Sequence, residues 1–221
     1  MNAKSFVQFV FIAISAVAVY FFVSMARDAE ARGACTSVCL LGPAYANQNR
    51  RIPAFELPDL EGKRVSSASL RGRVVVLNFW TKTCRPCLEE MTAIDELAEI
   101  VKREQLDVDV VTISTDASAD DAKTTLAAAL GRAPRFTTLV DPDAAVVFDK
   151  FGTRLYPETW LIDPEGVIRA RVDGARDWSN PVVLDVLRML GRPGGGCPIT
   201  FDAGKARGAY RGLCGGGEDE R

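Results

Sequence analysis

The chain has 221 residues, 48% of them hydrophobic, and a formal net charge of −2. That is enough for one well-buried domain with extensions at both ends. The near-neutral charge gives no electrostatic case for nucleic-acid binding, and the absence of histidine removes Cys-His nucleophile pairs, His metal sites and imidazole acid–base catalysis.

Phe6 to Val23 is almost unbroken apolar sequence between Lys4 and Arg27. Some 18 such residues nearly span a bilayer core at about 1.5 Å per residue, so residues 1–25 read as an uncleaved membrane anchor. A cleaved signal peptide is the competing reading. Its apolar region is usually shorter, roughly 7–15 residues, but Ala29-Glu30-Ala31 has the small residues of a cleavage site. Arg32-Gly33-Ala34-Cys35 is a poor lipoprotein signal, because Arg32 stands where an aliphatic residue belongs. Both leading readings carry the rest of the chain across the membrane. Residues 26–51 lack apolar periodicity, hold Cys35 and Cys39, and read as a linker.

From Ile52 the pattern changes. Phe55, Leu57 and Leu60 alternate loosely with polar residues, and Glu61-Gly62-Lys63 has the composition of a hairpin turn. Ser66 to Leu70 reads as a short helical turn. Val74 to Trp80 is a buried-strand pattern. Leu88, Met91, Ile94, Leu97, Ala98 and Val101 recur at helical spacing, which predicts one long amphipathic helix over 85–104. Val108 to Ser114 is a second strand, Ala119 to Leu130 a helix stopped by Gly131, Phe136 to Val140 a third strand, and Ala144 to Phe151 a short helix. Thr159 to Ile162 and Val167 to Val172 are strands joined by the turn Asp163-Pro164-Glu165-Gly166. Pro181 to Leu190 is the last helix. This order predicts an α/β domain over residues 52–191, with a mixed central sheet flanked by helices and an extra N-terminal β-hairpin. Residues 192–221 form a Gly-rich tail.

The six cysteines fall into three local pairs, Cys35/Cys39, Cys84/Cys87 and Cys197/Cys214, which suits an oxidising compartment. Cys84 and Cys87 stand directly after a strand pattern and at the start of a helix pattern. There the unpaired N–H groups of the first turn favour negative charge on the first sulfur. Cys84 is therefore the expected nucleophile and Cys87 the resolving thiol. Arg85 adds a cation, and Pro86 fits the first turn, where a missing N–H costs nothing. Glu90 lies three residues beyond Cys87 on a neighbouring part of the helix face. It is either a proton relay for Cys87 or, like Glu89, solvated surface. A zinc site needs a second close Cys pair in register, and the other spacings do not supply one. A purely structural disulfide is the remaining bland reading. No metal or cofactor is expected beyond the redox-active Cys84–Cys87 disulfide.

The run Val74-Val75-Val76-Leu77-Asn78-Phe79-Trp80, then Cys84-Arg85-Pro86-Cys87 and Glu90-Met91, is followed by Pro157-Glu158-Thr159-Trp160-Leu161-Ile162-Asp163-Pro164-Glu165-Gly166. Together with Phe55-Glu56-Leu57-Pro58-Asp59-Leu60-Glu61-Gly62-Lys63, these segments resemble the TlpA/ResA/CcmG group of thioredoxin-like proteins over about residues 52–191. The resemblance implies a thioredoxin-like fold and an extracytoplasmic thiol–disulfide oxidoreductase, more often a reductase. Expected substrates are protein disulfides, such as those of apocytochrome c or copper-site assembly proteins. Expected electrons come from a membrane thiol-reducing partner, at a bacterial inner membrane, with the domain facing the periplasm or cell exterior. A secreted form after signal cleavage is the alternative.

The resemblance also assigns residues. Pro157 matches the group's cis-proline against the active-site disulfide, and Glu90 matches its acidic residue beneath the redox pair. Asn78 stands where cytosolic thioredoxin has a buried Asp, which again leaves Glu90 as the relay. Tyr156, Trp80 and Arg85 are candidate substrate contacts beside Pro157. The chain departs from the group at Thr83, where most members carry Trp, and Lys82 with Arg85 makes an unusually basic rim suited to an acidic partner surface. Cys197/Cys214 is expected to staple the tail, and Cys35/Cys39 to form a local disulfide or pair with the tail. Two other function classes compete. A peroxiredoxin-like peroxidase would use Thr81, three residues before Cys84, but has Leu77 where a Pro belongs. A metallochaperone or non-catalytic binding module would lack the His that copper sites of this spacing normally use.

Overall fold

A computed structural model describes residues 3–39, 51–192, 199–202 and 205–208. The first helix, α1, runs from Ala3 to Cys39. Its stretch Val7–Arg27 has a mean hydropathy of 2.4 and none of it is buried. The apolar residues surround this helix instead of forming one stripe, so it has no face to offer a water-soluble core. At ~1.5 Å per residue it is long enough to cross a hydrocarbon core of about 30 Å. The helix continues into the segment expected to be linker and ends at Cys39, so the first part of that segment is helical. The stretch Ala29-Glu30-Ala31-Arg32 is made of good helix formers, and a helix can form on propensity without apolar periodicity. Cys197 and Cys214 lie outside the described residues, as does any pairing of Cys35 and Cys39.

Strands β1 (Glu56–Pro58) and β2 (Arg64–Ser66) form the expected antiparallel hairpin, followed by a 3-10 turn at Ser67–Leu70. Five strands make the central sheet: β3 (Val74–Trp80), β4 (Val108–Ser114), β5 (Thr137–Val140), β6 (Glu158–Ile162) and β7 (Ile168–Asp173). Their order is β5-β4-β3-β6-β7. The β3/β4 and β4/β5 pairs are parallel, while β3/β6 and β6/β7 are antiparallel. Helices α2 (Arg85–Arg103), α3 (Ala119–Leu130) and α4 (Pro181–Leu190) fall at the predicted places.

Alternation along β3 builds two cores. Val74, Val76 and Trp80 face Met91, Ile94 and Leu97 of α2, Leu126 of α3, and Leu184 and Leu187 of α4. Val75, Leu77 and Phe79 face Leu57 of the hairpin, Val146 and Val147, and Trp160. Both faces of β3 are dry, which is why its sequence is a continuous apolar run. Each such buried side chain contributes roughly 1.5–3 kcal/mol.

Caps explain the helix ends. Ser118 accepts from the Asp121 N–H at the start of α3, and Gly131 ends that helix at φ +68°. Asn180 accepts from the Val182 N–H ahead of Pro181. The short helix expected over 144–151 is instead π-helical, Ala145–Lys150. Asp141 Oδ2 accepts from the N–H groups of both Val146 and Val147 at 2.9 Å, and Phe151 N–H reaches back to the Val146 carbonyl. The tail contains a further hairpin, β8 (Ile199–Asp202) with β9 (Lys205–Gly208), which the Gly-rich composition masked. Its signal was the alternation Ile199-Thr200-Phe201-Asp202.

Candidate active site

The site lies where β3 hands over to α2. Asp116 shapes that junction. Its Oδ1 accepts from the Thr81 hydroxyl and the Lys82 N–H, both at 2.8 Å, and its Oδ2 accepts from the Ser114 hydroxyl at 2.8 Å. Cys84 N–H then donates to the Thr81 carbonyl, 3.0 Å away, so the chain turns sharply into the helix. Cys84 is the N-cap of α2, and its Sγ accepts from the Cys87 N–H at 3.2 Å. The two sulfurs are joined as a disulfide. Cys84 is half-buried and Cys87 fully buried. An incoming disulfide therefore has access to the first sulfur and not the second. When the bond opens, the Cys84 sulfur remains at a helix N-terminus, where N–H groups and the helix dipole favour an anion.

The rim is less basic than its sequence suggests. Arg85 Nε is 2.9 Å from Glu89 within α2, and Lys82 Nζ is 3.0 Å from Asp121 on α3. Both cations already have carboxylate partners. The hydrogen bond and charge of Lys82, with help from Ser118, hold the Asp121 carboxyl below the ordinary range. Thr83 is exposed beside them.

Glu90 is not solvated surface: only 3% of it is exposed. Its Oε1 accepts from the Trp178 indole N–H at 2.5 Å and the Arg176 backbone N–H at 2.9 Å. Its Oε2 accepts from Asn78 Nδ2 at 3.1 Å, and that amide also donates to the Thr159 hydroxyl at 2.9 Å. Burial pushes the Glu90 carboxyl up; the Trp178, Arg176 and Asn78 donors pull it back only in part. Two turns of one helix thus bring together a half-buried thiol, a buried thiol and a buried carboxyl of raised proton affinity. That set can exchange a disulfide and hold a proton away from water.

The raised Glu90 carboxyl makes stability depend on pH. Above pH ~4.5 the unfolded chain releases this proton while the folded chain retains it, so folding stability falls as pH rises toward the folded-state value. Glu90→Gln keeps an acceptor for Trp178 without a charge. The variant should melt higher than the wild type at pH 7–8 and lose less of its Tm between pH 5 and 8. Superimposable Tm-against-pH curves for the two proteins would rule this out.

The Tyr156–Pro157 peptide bond is cis. In the β3/β6 register Phe79 faces Glu158, which brings Pro157 level with Trp80, at the end of the sheet from which Cys84 projects. Tyr156 is half-buried and stacks on Phe148, with ring centroids 6.3 Å apart. Burial raises its hydroxyl, and Asp141, Glu158 and Asp116 add to that against a contact with Thr115. Arg85 is exposed on the rim. Trp80 has to be corrected as a substrate contact. It is fully buried, with its indole N–H on the Thr112 hydroxyl at 3.1 Å, because its parity along β3 aims it into the α2 core.

Several site residues were not foreseen. Trp178 and Arg176 lie in the loop between β7 and α4, and nothing in their local pattern ties them to Glu90; an aromatic in the polar run Asp177-Trp178-Ser179-Asn180 was the one available signal. Glu158, next to Pro157, is a second buried carboxyl. It points to the opposite face of the sheet, where the Thr153 hydroxyl donates to it. Burial raises it, opposed by Thr153 and Arg171. Among the described residues no cluster of His, Cys, Asp and Glu is arranged to hold a metal ion. A cleft of about 690 Å³, lined by Lys63, Arg73, Lys102 and Phe136, opens at the far end of β3 and β4, away from the cysteines.

Comparison with known proteins gives a consistent picture. The sequence profile of the AhpC/TSA family matches residues 49–171. The chain is 28% identical over 153 residues to the thiol-disulfide oxidoreductase ResA of Bacillus subtilis strain 168, covering 69% of this chain and 80% of that protein. It is 29% identical over 128 residues to the thioredoxin-like protein YneN of the same organism, covering 55% and 69% respectively. A crystal structure from Chlorobium tepidum, described as a DsbE thiol:disulfide interchange protein, superposes with a TM-score of 0.56 at 27% identity, over 66% of this chain and 99% of that one. A solution structure from Neisseria meningitidis, described as a thioredoxin, gives a TM-score of 0.54 at 31% identity, over 66% and 92%.

Proposed function

This chain belongs to the AhpC/TSA family and is a thioredoxin-like thiol–disulfide oxidoreductase of the ResA type, and we propose that it reduces specific protein disulfides outside the cytoplasm. Cys84 attacks the substrate disulfide, Cys87 resolves the mixed disulfide, and Glu90 accepts the Cys87 proton. The observation that carries this reading is the buried Glu90 carboxyl, one helical turn beyond a fully buried Cys87. A negative charge there disfavours a thiolate on Cys87, and Arg85 is occupied by Glu89. Both weaken the reduced pair relative to the disulfide and so favour electron donation.

Val7–Arg27 anchors the chain in the bacterial inner membrane, and the domain of residues 52–191 faces the periplasm or cell exterior. Tyr156 and Pro157 form the docking edge for substrate backbone. The substrates are disulfides of the apocytochrome c or copper-site assembly kind, and a membrane thiol-reducing partner returns the pair to its dithiol state. A peroxidase would need Thr81 turned to Cys84, whereas its hydroxyl is bonded to Asp116.

Redox equilibration of the full chain in detergent, followed by thiol trapping, tests the direction of electron flow. The potential should lie nearer that of thioredoxin, about −270 mV, than that of DsbA, about −120 mV. It should also reduce a peptide bearing an oxidised Cys-x-x-Cys-His segment. A potential above about −150 mV would reverse the assignment. In spheroplasts, a membrane-impermeant maleimide should label reduced Cys84 without lysis. Labelling only after lysis would place the domain on the other side.

A further inference from the structure

The loop from Gly174 to Asn180 touches both functional ends of the site. Its first residue donates its N–H to the Pro157 carbonyl at 2.9 Å. Two residues on, the Arg176 N–H reaches Glu90 Oε1, and Trp178 follows with its indole N–H on the same oxygen. The loop is itself held. Asp177 Oδ1 accepts from the Ser179 N–H and hydroxyl at 3.1 and 2.7 Å, and Asn180 caps α4. The Trp178 ring is 2% exposed and belongs to the core that contains Met91 and Leu184.

We propose that Trp178 is a positioning residue for proton transfer: with the Arg176 N–H it occupies Glu90 Oε1 and so directs the proton from Cys87 to Oε2. This rests on reading Glu90 as the proton acceptor. A carboxylate oxygen offers two lone pairs in its plane, and those of Oε1 face two groups that can only donate. A proton on Oε1 would displace one of them inside a dry site. Oε2 has a single partner among the described residues, Asn78 Nδ2, and keeps a lone pair open. The groups that face the carboxyl are thus Asn78 of β3, with Thr159 of β6 behind it, and Arg176 and Trp178 of the loop. The Arg176 guanidinium adds a favourable charge, and Cys87 lies on the same helix.

The Cys87 thiol gives its proton to Oε2. The resulting thiolate attacks Cys84 Sγ in the mixed disulfide, the Cys84–Cys87 bond forms, and the bond from Cys84 to the substrate breaks. The substrate sulfur leaves as a thiolate, takes up a proton, and the two electrons lost by the cysteine pair reside on the substrate thiols.

The test is stopped-flow resolution of a preformed Cys84–glutathione mixed disulfide in the full chain in detergent, across pH, for wild type, Trp178→Phe, Glu90→Gln and the double variant. Phe keeps the buried ring but removes a donor that favours the carboxylate. The pH at which the rate begins to rise should therefore move up by about one unit, with a roughly tenfold lower rate on that limb and a plateau changed less than twofold. In the Glu90→Gln background the limb should be gone, and Trp178→Phe should shift nothing further. A limb that persists in Glu90→Gln overturns the reading of Glu90 itself. A limb lost in Glu90→Gln but unmoved in Trp178→Phe overturns only the role of Trp178. Should Trp178→Phe fail to fold, the Raman band of the wild-type indole N–H decides. It should shift with the midpoint of the rate limb, and a pH-independent band sinks the proposal.

Discussion

Cys84→Ser should bring turnover of a disulfide peptide down to the uncatalysed rate, whereas Cys87→Ser should retain the first half-reaction and accumulate a covalent complex with the substrate. The asymmetry follows from exposure and position. Only Cys84 is accessible, and only its sulfur sits at the N-cap, receiving the Cys87 N–H. Serine has the shape but not the acidity, and the thiolate is the attacking species. Cys87 is fully buried yet within bonding distance of Cys84. Its loss therefore leaves the mixed disulfide without the neighbouring thiol that would resolve it. Non-reducing electrophoresis of both variants after incubation with substrate decides the matter. A trapped complex from Cys84→Ser and none from Cys87→Ser would reverse the two roles. The same Cys87→Ser protein, recovered from cells, would carry the physiological substrate with it.

The second large effect concerns the turn that follows β6. Asp163 and Arg169 form an ion pair at 2.5 Å, with 0% and 4% exposure. Asp163 Oδ1 also accepts from the Val167 N–H at 2.8 Å, so one carboxylate closes the turn and neutralises a buried guanidinium. Arg169 reaches it because the β6/β7 register shifts between Leu161 and Ile162, skipping Arg169 in the pairing. Burial still raises the Asp163 carboxyl, with Arg169 opposing. Asp163→Ala should therefore cost about 3–5 kcal/mol, because it removes a buried carboxylate from a buried guanidinium and the acceptor from the Val167 N–H. That is a large part of the roughly 5–15 kcal/mol typical of a folded domain. Replacing both, Asp163→Leu with Arg169→Met, should recover most of the loss, since well-packed apolar pairs are often no worse than a buried ion pair. Urea unfolding of the full chain measures both. A single-variant loss below about 1 kcal/mol would show that the pair is dispensable to the fold.

Some of the site was legible because its logic is local. The strand at Val74–Trp80, the helix from Arg85 and the cysteines between them come from apolar runs, 3.6-residue periodicity and a first-turn Pro, all contained in 30 residues. Glu90 could be placed on the cysteine helix by counting but not assigned to core or surface, because Glu89 satisfies nearly the same count. Burial separated them: Glu90 lies inside, while Glu89 is exposed and bonded to Arg85. Trp80 failed for the opposite reason. Its neighbourhood in the motif suggested the substrate side, but strand parity sends it into the core.

By itself the sequence determined the order of elements in the domain, the place of the Cys84/Cys87 pair between strand and helix, and an N-terminal segment apolar enough to enter a membrane. Propensity, capping and hydrophobic periodicity act between residues a few positions apart, and they can be read there. Only the tertiary structure decided what surrounds the pair: the Asp116 tether on the entering loop, the Trp178 and Arg176 donors 88 and 86 residues from Glu90, and the charge partners that quiet the basic rim. Those contacts depend on sheet register and on where loops return, and a chain's local pattern carries neither. Glu90 is oriented because the Asn78 amide and the distant Arg176–Trp178 loop converge on it, while its burial raises its proton affinity against their pull.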